Sequence, residues 1–211
     1  MFLRIAALND ETSDDDRKRK LSALADNLVA TLEVVVKRTE EKMDSASKLI
    51  QEIVSAAAEP NGEFIVPLSA ARVQSMRVLI QQNLEVIDDG LLSTAFAYMK
   101  KAGDDGLEGM VIILQKLLQL WAACDLVSAG EVNAIVERLM QAESESWDRI
   151  IAEATSGPNP ETDKEALVAA VQSSVERVVL QKASGSPAQR VQAEFLRELM
   201  ARIRAAPAAA T

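Results

Sequence analysis

Apolar residues recur three and four positions apart along most of the chain, and the alternation of a half-buried strand is nearly absent. The longest run places Leu21, Leu24, Leu28, Leu32, Val35, Val36, Met43, Ala46, Ile50, Ile53 and Ala57 in mixed i+3/i+4 steps. It predicts a first helix opening near Thr12 or Ser13 and ending about Ala58, where Pro60-Asn61-Gly62 stops it. At 1.5 Å per residue such a helix spans roughly 65–70 Å, longer than a compact domain is wide, so one end should project or carry a partner. The pattern allows a kink near Thr39 but does not require one. Residues 59–68 read as irregular, with Phe64-Ile65-Val66 as a packed loop or a short edge strand.

Start and stop signals divide the remainder into shorter helices. Ser69 caps one that runs through about Ile87, with Val73, Met76, Ile80, Leu84 and Ile87 on one face. Asp88-Asp89-Gly90 punctuates, and Leu91 to Ala102 forms a short helix ending at Gly103. Asp105 with Glu108 resembles a capping box opening a helix through about Asp125. Its apolar residues, Met110 and Ile113 through Trp121, cover more than one face, so this helix should be the central and most buried one. Ser128 with Glu131 repeats the box before a helix to about Ala142. Another covers roughly Ser146–Ala154, with Trp147, Ile150 and Ile151 inward. Ser156-Gly157-Pro158-Asn159-Pro160 is the best hinge candidate. Thr162 with Glu165 opens a helix to about Ala183, and Ser186 with Pro187 opens the last, which reaches about Ile203. The expected fold is therefore all-α, about eight helices in an irregular bundle with one very long N-terminal helix. The expected organisation is an N-terminal extension at 1–12, a main helical domain at 13–155, a C-terminal helical pair at 156–204 packed on it or hinged to it, and a disordered tail at 205–211.

Composition then narrows the chemistry. The 211 residues include no histidine, which removes Ser–His and Cys–His catalytic pairs, histidine metal ligation and histidine proton relays. One cysteine excludes an internal disulfide and a Cys-cluster metal site, and suits a reducing compartment. No stretch approaches the roughly 20 uninterrupted apolar residues of a membrane span. The opening Met1 to Leu8 is too short for a signal peptide.

The net charge of −9 is unevenly placed. Residues 1–176 hold 17 bases against 30 acids, whereas the last 35 residues hold six bases against two acids. An acidic body repels a polyanion, which leaves the C-terminal segment as the one plausible place for nucleic acid to bind. Asp14-Asp15-Asp16 before Arg17-Lys18-Arg19-Lys20 reads better as first-turn acids with i,i+4 partners than as a recognition patch.

No catalytic, cofactor-binding or metal-ligating residues emerge. Cys124 falls near the C-terminal end of an apolar helix, the wrong end of the dipole for a reactive thiolate. Gly103 to Gly109 lacks both the lysine of a phosphate loop and the acid spacing of a calcium loop. Carboxylate pairs such as Glu143/Glu145 are sequence neighbours on solvated faces, without the burial that separates catalytic pKa values. The candidate partner-binding residues are five. Trp147 is a core residue or, if partly exposed, an interface anchor. Arg190, Arg197 and Arg204 form one stripe at i, i+7, i+14, with Arg202 nearby. Salt-bridge decoration is the plainer reading of that stripe, and a docking face for an acidic partner or RNA backbone is the other.

Four stretches carry a family resemblance: Arg38-Thr39-Glu40-Glu41-Lys42-Met43-Asp44-Ser45-Ala46; Gly109-Met110 through Leu114-Gln115-Lys116 to Leu120-Trp121-Ala122; Glu145-Ser146-Trp147; and Gln189-Arg190-Val191-Gln192-Ala193-Glu194-Phe195-Leu196. In these, taken in order, the chain resembles a family of plastid-targeted proteins of land plants and green algae, some labelled "endoribonuclease E-like". The resemblance implies a chloroplast address and brings no catalytic residues, because nothing here matches the paired metal-binding aspartates or RNA-binding domains of ribonuclease E. The expectation is a non-enzymatic helical protein that binds other proteins, as an assembly factor or an accessory subunit of a larger chloroplast complex. The alternative is an RNA-associated plastid protein acting through the basic C-terminal helix.

Overall fold

A computed structural model describes residues 15–130, 132–156 and 160–206, together with Arg4. Among these residues there are eight α-helices and no strand. They are α1 (Asp15–Ser55), α2 (Ala70–Gln82), α3 (Asp89–Asp104), α4 (Glu108–Ser128), α5 (Ala134–Gln141), α6 (Trp147–Ser156), α7 (Lys164–Gln181) and α8 (Pro187–Ala205). A single 3₁₀ turn, Ser144–Ser146, leads into α6. The chain divides into two compact units, Met1–Ser45 and Ala46–Thr211.

In the unit Ala46–Thr211, α4 is the axis, as its nearly all-round apolar sequence requires. Ile113, Leu114, Leu117, Leu118, Leu120 and Trp121 are all buried, and α2, α3, α5 and α8 pack around them. By length and composition α4 is the one helix among the described residues that could cross a membrane, and the core already covers more than half of that stretch. Helix α8 offers Val191, Phe195, Leu196, Leu199 and Ile203 to the same core. It packs on α3, α4, α6 and α7, so the C-terminal pair belongs to this compact unit. Leu49, Ile50, Ile53 and Ala57 are buried in the core as well.

Several boundaries differ from the expected ones, each for a local reason. Helix α1 passes through Thr39 unbroken, the Thr39 hydroxyl donating to the Val35 carbonyl (2.8 Å), and it ends at Ser55 rather than Ala58. The expected start at Thr12 or Ser13 lies outside the described residues, as do Glu131 of one expected capping box, most of the hinge, most of the 205–211 tail and, Arg4 apart, the 1–12 extension. Helix α2 stops at Gln82, five residues early, because the Asn83 side chain donates to the Leu79 carbonyl (2.9 Å) and ends the ladder. Phe64-Ile65-Val66 forms neither a strand nor a packed loop: Phe64 and Ile65 are exposed in a loop.

Asp105 does not cap α4. The Leu107 N–H reaches back to the Ala102 carbonyl (2.8 Å) with Gly106 left-handed at φ +72°, a Schellman closure of α3 that makes Leu107 the residue before α4. Asp105 pairs instead with Lys101 (2.9 Å). Ser128 belongs to the last turn of α4, and Asn133 caps α5 by accepting from Ile135 N (2.9 Å). Asp163, not Thr162, caps α7. Ser69 and Ser186 do cap α2 and α8.

Candidate interaction site

Inside the unit Ala46–Thr211 several polar groups hold helices together. The Glu143 carboxylate, between α5 and α6, accepts from Arg77 of α2 (3.4 Å) and Lys116 of α4 (2.7 Å), and Arg77 is 8% exposed. Asp125 near the end of α4 accepts from Lys182 (2.7 Å) and from the Gln192 amide of α8 (2.5 Å). Asp89, at the start of α3, accepts from the Ala188 N–H (2.9 Å) and so helps cap α8 from another helix. These contacts tie together helices that are far apart in the sequence.

Cys124 lies beside Arg77 at a cavity of about 240 Å³. Burial pushes its thiol above the ordinary value, and the Arg77 guanidinium offsets this only in part, so the sulfur stays protonated and weakly reactive. Among the described residues no group of three carboxylates or thiols is gathered closely enough to hold a metal ion.

The five sequence candidates are not brought together. Trp147 is not an exposed anchor: it is fully buried, its Nε1 donates to the Leu139 carbonyl (2.7 Å), and its ring meets Phe195 edge-on at 5.8 Å. The polar run Glu143 to Ser146 that suggested exposure forms the turn delivering it inward. Arg190 lies over the Phe96 ring (5.4 Å) and near Glu194 (3.5 Å), and Arg202 reaches Asp148 of α6 (2.9 Å). Arg197 and Arg204 are exposed. Two more bases of the C-terminal segment are tied into the fold, Lys182 to Asp125 and Arg177 to the Gly130 carbonyl. Of the six bases, Lys182 and Arg177 are thus tied to other parts of the fold, whereas Arg190, Arg197 and Arg204 remain exposed.

A groove of about 530 Å³ opens between α3, α4 and α8, with Phe96, Met99, Ile112 and Phe195 in it and Glu145, Glu194 and Glu198 on its rim. Phe195 is core, and Arg190 already covers Phe96.

The unit Met1–Ser45 differs in kind. Along α1, burial begins only at Leu49. Before it, Leu24, Val29, Leu32, Val35, Val36 and Met43 are exposed, between 44% and 57% of each. Leu21, Ala25 and Leu28 are half-buried on the same side. Six consecutive turns thus present apolar side chains that nothing described covers, far more than the scattered single hydrophobics of an ordinary surface. The signal was present in the apolar run of the sequence, though periodicity could not show which part of the run is buried.

Comparison with protein-family models, with curated proteins and with solved structures finds no match to this chain.

Proposed function

We propose that the chain is a non-catalytic protein-interaction module, an assembly factor or accessory subunit, that engages its partner through the apolar face of α1 between Leu21 and Met43. The observation that carries this reading is the exposure of that face. A helix keeps Leu24, Leu32, Val35 and Met43 about half in water only at a free-energy cost that a partner surface would recover. The pairing of Glu143 with Arg77 and Lys116, and of Asp125 with Lys182, across helices favours a structural rather than a chemical role for these groups. The chloroplast is the proposed compartment, on the four stretches that resemble plastid-targeted proteins.

The test replaces Leu24, Leu32 and Val35 together by Gln in a tagged full-length chain and compares the size of its native assembly in chloroplast extract. Circular dichroism on the purified variant checks that the helices remain. The expected result is release of the chain from a stoichiometric assembly. An assembly unchanged by the triple substitution, or a wild-type chain that is a compact monomer without any stoichiometric partner, would sink the reading.

A further inference from the structure

We propose that the cavity of about 240 Å³ between α2, α4 and α5 is a binding site for a small organic acid, whose carboxylate pairs with Arg77 and whose carbon chain lies on Leu84, Ala123 and Val127. The site belongs to the compact unit and stands apart from the reading of α1. It rests first on a charge imbalance. Glu143 gives one oxygen to Lys116 (2.7 Å) and the other to Arg77 (3.4 Å), so two cations share one carboxylate. The side chains of Arg77 and Lys116 are only 10% and 17% exposed. A shielded charge without its own counter-ion is costly, and an acid in the cavity would supply the missing one. The Arg77 fork also has donors to spare. Glu143 and the Cys124 sulfur engage part of it, and its remaining N–H groups meet no acceptor among the described residues.

Shape and surroundings select the ligand. At roughly 30 Å³ per molecule the cavity has room for about eight waters, which suits an acid of about four to six carbons. A planar fork matches a carboxylate edge to edge, and the apolar wall favours a carbon chain over a bare inorganic anion. Gln81, Ser128 and Gln141 are exposed, which keeps the cavity open to solvent. Among the described residues no carboxylate lines it. Asp125, next to Cys124, is taken up by Lys182 (2.7 Å) and Gln192 (2.5 Å), and Glu137 accepts from the Gln141 amide (2.9 Å). The C-terminal ends of α2, α4 and α5 border the cavity and oppose an anion through their dipoles. Their carbonyls at Ile80, Val127 and Leu139 are already capped by the N–H groups of Asn83, Gly130 and Ala142, which leaves Arg77 as the group with unused hydrogen bonds. An acid bound there stabilises the folded chain by mass action, so stability follows the concentration of the acid.

The experiment titrates the full-length chain with butyrate at constant ionic strength. Two signals are read, the melting temperature and the rate at which N-ethylmaleimide alkylates Cys124, which lines the same cavity. Butyramide, the same shape without the charge, and inorganic phosphate are the comparison ligands. Butyrate should slow alkylation and raise the melting temperature along one saturation curve, with a dissociation constant of about 1 mM. The other two should each bind roughly tenfold more weakly or worse. Gln81→Glu, at an exposed position one turn on from Arg77, places a carboxylate of the chain's own in the cavity. It should weaken butyrate by roughly tenfold or more, with the circular dichroism unchanged. Gln51→Glu, the same change on α1 outside the cavity, should leave binding as it is. Equal protection by butyramide would overturn recognition by charge, and phosphate bound as tightly as butyrate would overturn an organic acid as the ligand. Butyrate binding unaltered by Gln81→Glu would remove the site from Arg77. Alkylation indifferent to butyrate at about tenfold that dissociation constant would overturn the proposal outright.

Discussion

Removing the Glu143 carboxylate while keeping its shape, by Glu143→Gln, should destabilise the compact unit more than any exposed charge change. Two cations depend on this group, and both are shielded, the Arg77 side chain 10% exposed and that of Lys116 17%, against 31% for Glu143 itself. At an effective dielectric of about 20 and separations near 3 Å, each attraction is roughly 5 kcal/mol before desolvation is subtracted. Desolvation offsets most of that. What the substitution exposes is the cost of leaving two largely buried cations without a counter-charge, about 2–4 kcal/mol in sum. With a urea slope of about 2 kcal/mol per molar, the unfolding midpoint read by far-ultraviolet circular dichroism should fall by roughly 1–2 M. Glu153→Gln is the matched control. Its ion pair with Arg149 joins side chains 56% and 68% exposed, and its loss should move the midpoint by no more than about 0.3 M. Equal shifts for the two variants would refute the idea that Glu143 is a partly buried counter-ion joining α2 and α4 to the connection between α5 and α6.

Three further outcomes follow from the same packing. Trp147→Phe should cost about 1–2 kcal/mol by calorimetry, because the Leu139 carbonyl loses the short bond from Nε1 (2.7 Å) and keeps only the longer one from the Ala142 N–H (3.2 Å); a neutral result would mean water or a rearrangement replaces the bond. Asp89→Ala should destabilise by about 1 kcal/mol, as Ser186→Ala does, since both side chains accept from the first N–H groups of α8; denaturant midpoints matching the wild type for Asp89→Ala would refute a cap supplied from α3. Cys124 has a thiol pKa raised in the folded chain above its ordinary value of 9.0, chiefly by burial. The folded state therefore holds a proton that the unfolded state releases first, so this contribution is intact below the unfolded pKa and declines as pH rises past it. Wild-type stability should fall more steeply than that of Cys124→Ala in the alkaline range, and identical slopes would contradict a protonated, buried thiol.

Helix existence was legible because apolar spacing reports burial periodicity, and the all-round apolar sequence of α4 marked the centre of the bundle correctly. Caps were less legible. Asp105, Ser128 and Thr162 each have the right chemistry one to five residues from the residue in the capping position, and the choice depends on how the preceding helix closes. At α4 the choice was settled by Gly106 and the Leu107-to-Ala102 bond, which no local pattern reveals. The cap that Asp89 lends to α8 spans 99 positions of sequence and has no local signature at all. Trp147 was ambiguous for a related reason: its polar neighbours in sequence are a turn, whereas its neighbours in space are Leu139 and Phe195.

The charge asymmetry between the body and the last 35 residues looked like a guide to a partner, and the packing gives it a different use. An acidic domain ties part of its C-terminal basic surplus to its own acids, Lys182 to the half-buried Asp125 and Arg202 to the exposed Asp148. Cations that satisfy internal acceptors are poor recognition groups, because a polyanion would have to compete with bonds already formed. Apolar surface on α1 has no such competitor among the described residues. Water is its only alternative, and every covered leucine or valine contributes in the same direction. The two kinds of surface therefore predict opposite salt responses. Binding through the arginines would weaken steeply with added salt, whereas binding through the apolar face of α1 would persist. A salt titration of the native assembly separates them. Complete dissociation at moderate ionic strength would move the interaction from α1 to α8.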